Sequence, residues 1–592
     1  MPLRSLSALV VASVAAVGLA LLAPSAAVAA PGDPAGVARV AMVYPLSVPE
    51  TRTGIIDADA LAGYTAPTGS LTLDLDAVID TPVAIGIDPM ILASIRILGT
   101  AAPQSAVDWL ERLSAATNET FPLTYADSDI TLGLQAGAGA VLAPLTFDYA
   151  IDPARFAPAT EEPTGSATPP ATSTPTASPT PPPAGAQPSL PTAESLVAWP
   201  YTAPGVAWPV TGTVIGTDLP AITASGYSMT ILGSSNVARS DPGQARVTVG
   251  DAAAVVSDDE ISTLFSSAID STTIEQWQSS TASLQAALDT EAAAGGVTGA
   301  SILLAADRES LAHASRLAET LAAITALPSA DLASFAAALA VPPSAATIVD
   351  MPQTPARVAT AQKLLATEAS DTAFSTVAED PTLITGDRRA RLLTTFSTAW
   401  NAYPGGWASA ATLYDSDSEK LHESVRIVQS SDITLVADRA SLPVTVSNTL
   451  GQPVTVLVTV SAPTPLLEIE QAAVPVTVEP DSQKRGQIPV QSLSNGTAQI
   501  SISITSTPGV AIGTPTSVRI NVYAGWETPF TVFLSIVVVA VFALGILRVV
   551  LRRRRARRDA QTASAETVAT DATVATGDGA AEPTTPSAGV AE

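Results

Sequence analysis

Cysteine is absent from all 592 residues. That excludes disulfide frameworks, thiolate zinc sites and cysteine nucleophiles in one step. A chain of this length exported without disulfides suits a bacterial exterior better than a eukaryotic one. Histidine is nearly as scarce, with His313 and His422 far apart and no H-x-x-x-H spacing. Local ligand geometry for a divalent metal is therefore missing, and neither a metal nor another cofactor is expected. Lysine occurs only at Lys363, Lys420 and Lys484, and 55 acidic residues face 28 basic ones. A net charge of −27 argues against nucleic acid as a partner, because neutralising phosphates needs Lys and Arg. No G-x-S-x-G elbow and no G-x-x-x-x-G-K-[ST] loop occurs, so serine hydrolysis of the elbow type and nucleotide hydrolysis have no support.

What the chain does have is one long stretch without charge, Thr528 to Leu547, followed by Arg548 and by Arg552, Arg553, Arg554, Arg555, Arg557 and Arg558. At about 1.5 Å per residue such a helix covers roughly 30 Å, the thickness of a bilayer's hydrocarbon. Positive flanks stay in the cytoplasm, so the arginines predict an outside N-terminus and an inside tail. Trp526 and Phe530 stand where an aromatic belt meets the outer headgroups. At the other end, Arg4, an apolar run from Leu6 to Leu22 and small residues at Ala26-Ala27-Val28-Ala29-Ala30 read as a secretory signal peptide over 1–29. The expectation is a type I single-pass protein of the cell membrane with its bulk outside.

Between these ends the text changes character several times. Over 37–156, apolar strand runs (Val37 to Leu46, Thr81 to Asp88, Phe121 to Ala126) alternate with helical patterns after Pro89 and over Ala106 to Leu113. That alternation predicts an α/β fold with a largely parallel, barrel-like sheet. Residues 157–193 are dense in Pro, Thr, Ser and Ala without apolar period, so a disordered insertion or linker is expected. The α/β pattern resumes over 194–430, with strands at Ala207 to Gly212, Tyr227 to Leu232 and Ile302 to Arg308. Helices are expected near 259–269, 281–294, 310–323, 330–340, 360–367 and 388–400. Over 432–523 the period becomes two, in short alternating runs such as Val454 to Ser461 and Gln499 to Ile504. Turn signals at Leu450-Gly451-Gln452, Glu479-Pro480-Asp481 and Asn495-Gly496 separate them, which predicts an immunoglobulin-like β-sandwich. The span is set at 528–551 and the basic stretch with a disordered tail at 552–592.

In α/β folds the strand ends carry the chemistry. Here those ends hold Asp88, Asp127 and Asp129, candidates for the acid and base of a glycoside hydrolase. Asp residues also cap helices that follow strands, and that role competes with catalysis at each of the three. Tyr125 and Trp208 put aromatic faces beside those carboxylates, the equipment that holds sugars, unless the rings simply pack the barrel mouth. The Trp208-Pro209 strand with its glycine turn resembles carbohydrate-ester deacetylase barrels, whose paired metal histidines this chain lacks.

The order of features, with VAMVYPLS from Val40, AIGIDPMIL from Ala84, LTYADSD from Leu123, AWPVTGT from Ala207 and SLPVTVSNTLGQPVTV from Ser441, resembles an actinobacterial family of exported single-span envelope proteins of unknown biochemical function. The chain departs from longer members in its compact first region. Members are often encoded beside the flippase for the lipid-linked peptidoglycan precursor. The resemblance implies a non-catalytic envelope accessory or scaffold role, with the flippase or cell-wall glycan as partner. The alternative is a membrane-anchored carbohydrate-active hydrolase using the strand-end carboxylates.

Overall fold

A computed structural model describes residues 36–156, 190–240, 243–295, 300–308, 316–428, 432–437, 439–523 and 527–562, with backbone alone for 527–529 and 556–562. The leader at 1–29, most of the Pro/Thr/Ser-rich stretch, His313, Trp526 and the tail beyond 562 lie outside the described residues.

Eleven described strands join one mixed sheet: β1 (Ala38–Leu46), β2 (Ala84–Ile87), β3 (Thr120–Pro122), β4 (Val206–Ala207), β5 (Met229–Gly233), β6 (Val237–Arg239), β7 (Arg246–Val249), β8 (Ala252–Ser257), β9 (Ser301–Ala305), β10 (Ala330–Ala333) and β11 (Ser344–Ile348). A parallel path runs β3-β2-β1-β9-β8-β5-β4. The sheet curls far enough for its two ends to meet. Ala203, just before β4, donates to the Thr120 carbonyl of β3 at 2.9 Å, and the Thr120 N–H donates to Thr202 Oγ1 at 2.7 Å. Strands from both sides of 157–189 thus share one sheet. β10 adds to the first half of β1, while β7, β11 and β6 extend outward from β8.

Parallel strands covered on both faces read as continuous apolar runs, and β1 is buried at eight of its nine positions. Its side chains still divide by period two. Ala41 and Val43 turn inward with Phe121, Trp208, Ile231, Val255 and Leu303. Val40, Met42, Tyr44 and Leu46 turn outward against the helices, in a core that holds Leu71, Leu75, Ile91 and Trp109.

Several expected elements change. β3 stops at Pro122, because Pro supplies no ladder donor and Ala126 and Asp127 then take positive φ (59° and 45°). β4 keeps two residues, ending before Trp208-Pro209. The helix expected over 330–340 is β10 followed by a short helix, Phe335–Leu339, capped by the Ser334 hydroxyl. Alanine-rich text favours helix locally, but pairing with β1 overrides it.

Three helices, Pro355–Ser375, Pro381–Thr395 and Pro404–Glu423, follow the sheet. Phe374 and Val377 lead from them into a second apolar core, and the Val377 carbonyl accepts from Thr455 N–H at 2.8 Å. That core is shared by two sheets. One orders its strands as Val425–Ile427, Arg439–Asn448, Ser482–Ser492 and Leu467–Ile469. The other runs Ile433–Leu435, Ala511–Val522, Gly496–Ser506, Val454–Ser461 and Ala473–Val478. The expected turn at Glu479-Pro480-Asp481 is present, with Asp481 at φ 47°. The chain then enters one helix, Glu527–Thr562, whose portion Phe530–Arg555 is long enough and, up to its arginines, apolar enough to cross a membrane, and the described residues leave it exposed.

Candidate functional site

The carboxyl ends of β1, β3, β4, β8 and β9 lie at one end of the curled sheet. The connection after β3 is organised by Asp88, the residue that follows β2. Its carboxylate caps the helix Pro89–Ile97 through Met90 N–H (2.8 Å) and also accepts from Ala126 N–H (2.9 Å). That second bond holds Ala126 in the left-handed region, which costs roughly 1–2 kcal/mol for a residue with a Cβ. Burial pushes the Asp88 carboxyl well above the usual range, against the pull of Met90 N–H and with a further push from Asp127.

The next carboxylate, Asp127, is 2% exposed. It pairs with Arg308 Nη1 at 2.6 Å and accepts from the Thr398 hydroxyl. Burial raises its pKa and Arg308 opposes the rise. Arg308 comes from the far end of β9, and its other terminal nitrogen donates to the carbonyls of Trp208 (2.7 Å) and Pro209 (2.8 Å). Its guanidinium lies 4.8 Å from the Trp208 ring centroid. One arginine therefore ties together the ends of β3, β4 and β9. Asp129 caps the helix Ile130–Gln135 through Leu132 N–H and accepts from the Thr131 hydroxyl (2.8 Å) and Gln353 Nε2 (2.7 Å).

The structure thus brings Asp88 and Asp127 into one network and turns Asp129 to the helices behind it. All three carboxylates are occupied by internal partners. The aromatic candidates are occupied too. Tyr125 is 3% exposed, its hydroxyl donating to the Gly54 carbonyl (2.6 Å) and its ring 5.5 Å from Phe147. Trp208 is 5% exposed, between Arg308 and Phe121. Neither ring offers a free face for stacking.

Beside Trp208 and Arg308 opens a cleft of about 380 Å³, a size that suits small ligands. Its wall is the helix Asp259–Ile269, which follows β8 and contributes Asp259, Ser262, Thr263, Ser266 and Ser267. On the other side of Arg308 a lobe of about 90 Å³ is lined by Ser47, Glu50, Ser70, Asp74 and Tyr403. Asp74, 4% exposed, accepts from the Tyr44 hydroxyl at 3.1 Å, and burial lifts its pKa to about 7. The lining is rich in hydroxyls and carboxylates, fitted to hydrogen-bond a polar ligand. Sequence reasoning noted the charged end of the Ile302 to Arg308 strand without pairing it to Asp127. The Ser262/Ser266 spacing of one helical turn was visible but had no strand end to be placed against.

His422 lies in a different cluster. Its Nε2 is 3.0 Å from Asp371 Oδ1 and its ring stacks on Phe374 at 4.8 Å. Asp371 also binds Arg388 and the Ser418 hydroxyl; burial raises its pKa, but these partners outweigh burial and hold it below the usual range. Among the described residues no group of three His, Cys, Asp or Glu side chains is arranged to hold a metal.

No curated relative matches the chain. Among solved structures, the α-amylase AmyC from Thermotoga maritima aligns over 66% of this chain and 93% of its own at 8% identity and a TM-score of 0.41. The native α-2-macroglobulin of E. coli aligns over 17% of this chain at 21% identity and a TM-score of 0.14, and the chain spans 7% of that protein's length. The MSP-domain protein SSP-19 of Caenorhabditis elegans aligns over 16% of this chain and 94% of its own at 13% identity and a TM-score of 0.13. None of these likenesses reaches the level at which a shared fold follows. A family model, in contrast, matches residues 2–572, nearly the whole length, and the chain belongs to that family, the family of unknown function DUF6049.

Proposed function

We propose that the protein is a non-catalytic accessory or scaffold of the cell envelope, anchored by one span with its bulk outside. The observation that carries this reading is the commitment of Asp88, Asp127 and Asp129 to internal partners. General acid–base work needs a carboxyl that can reach a reacting oxygen and exchange its proton there, and none of the three is free to do so. The curled parallel sheet is read as a closed barrel, supported by the Thr120–Ala203 and Thr120–Thr202 bonds, and the paired sheets as an immunoglobulin-like spacer above the membrane. The arginines after the apolar helix support an inside tail, and the leader composition supports export. On this reading the partner is the machinery of peptidoglycan-precursor export in an actinobacterial envelope, or its glycan product.

The test incubates the purified full-length protein, in detergent, with purified peptidoglycan and with soluble glycans. The expected result is no release of reducing ends or acetate above that of heat-inactivated protein. Release that tracks the folded protein would contradict the reading and favour the hydrolase alternative.

A further inference from the structure

We propose that the larger lobe of the cleft binds a neutral polyhydroxyl ligand, a glycan segment, with the Ser262 and Ser266 hydroxyls as its donors. This rests on the glycan side of the reading above and places the sugar on named side chains. Ser262 and Ser266 stand one turn apart on the helix Asp259–Ile269, so they share a face. Each accepts a backbone N–H from the end of β9: Ser262 from Ala305 at 3.1 Å, Ser266 from Asp307 at 3.3 Å. A hydroxyl that accepts in this way still has one proton to give. Among the described residues neither proton has an acceptor in hydrogen-bonding reach, and Ser266 is only 7% exposed. The cleft is where an acceptor for these protons can enter.

The neighbouring positions have the opposite polarity. Thr263 gives its proton to the Asp259 carbonyl at 2.7 Å and Ser267 gives its own to the Thr263 carbonyl at 2.8 Å. Both therefore present oxygen lone pairs to whatever lies above. Donors and acceptors stand side by side along one helix face, a pattern completed by hydroxyl groups, which do both at once.

Charge separates the ligand classes. Among the described residues Arg308 is the single cation in the lining, and its terminal nitrogens are spent on Asp127, Trp208 and Pro209. A phosphate or carboxylate would find no free cation there. Asp259 is spent on the N–H groups of Ser234 (3.1 Å) and Ser235 (2.8 Å). A protonated amine carries only donors and would leave both serine protons unmatched.

The test titrates the full-length protein, in detergent, with soluble N-acetylglucosamine oligomers by calorimetry, with spermidine and inorganic phosphate as separate probes. The oligomers are expected to bind, and the Ser262→Ala/Ser266→Ala double variant to bind at least tenfold more weakly. Thr263→Trp fills the cleft from an exposed position; it is expected to abolish binding while leaving the thermal midpoint unchanged. Undiminished oligomer binding in both variants would overturn the site and leave the accessory reading standing. Binding of spermidine or phosphate without the oligomers, or of no probe at all, would overturn the ligand class.

Discussion

Asp74 lies on the helix Ser70–Val78, where burial and a single bond from Tyr44 leave its carboxyl with a pKa of about 7. An unfolded chain titrates an Asp near 3.9. Between about pH 4 and 7 the folded protein therefore holds a proton that the unfolded chain releases. Stability from this residue falls as pH rises through that window and levels off above it. Tyr44 from β1 contacts Asp74 directly, Glu50 and Arg308 line the same pocket, and Asp270 acts on Tyr44. Asn cannot ionise yet can still accept from Tyr44. Thermal unfolding of wild type and Asp74→Asn at pH values from 4.5 to 7.5 should show the variant gaining on the wild type as pH rises. A difference that is flat with pH would mean that Asp74 is ionised in the fold at neutral pH.

At the next scale, Asp127 and Arg308 act as a strut between elements 181 positions apart in the chain. Both side chains are almost fully buried, at 3% and 8% exposure. Removing one member leaves the other charged without a partner, which costs about 3–5 kcal/mol. Asp127→Ala should lower the unfolding free energy of the full-length protein by that amount in denaturant titration. A loss below about 1 kcal/mol would show that the turn after β3 is held by Asp88 alone. The strut explains what could be read from the sequence and what could not. β1, β2, β5 and the helices after Pro89 and Asp258 were legible because apolar runs and caps are local signals. β10, an alanine-rich strand, and β11 were not, because their pairing with β1 and β7 is set by contacts distant in sequence. The strand Ser482–Ser492 was missed as well, its run of Gln, Lys and Arg hiding an alternation that shows only opposite Arg439–Asn448. The site followed the same rule. Asp88, Asp127 and Asp129 could be located as strand-end residues, but whether their oxygens were free depended on Ala126, Arg308 and Gln353, two of them from elements far along the chain.

The whole molecule joins a curled α/β sheet, a helical layer and a pair of β-sheets to one apolar helix that continues unbroken into Arg552–Arg555. The helical layer is the mechanical link: Phe374 enters the core of the β-sheets while Asp371, three residues earlier, anchors Arg388 and Ser418 behind it. An apolar helix that the described residues leave exposed is compatible with a single-pass membrane anchor. The absence of cysteine makes every introduced thiol unique, so orientation can be read by labelling. The most direct measurement places Thr507→Cys, in an exposed turn of the β-sheets, and Ser564→Cys, beyond the arginines, in separate full-length variants. Intact, wall-stripped cells are then treated with a membrane-impermeant maleimide. The account predicts that the residue 507 thiol is labelled in intact cells and the residue 564 thiol only after permeabilisation. The reverse pattern, or equal labelling of both in intact cells, would contradict it.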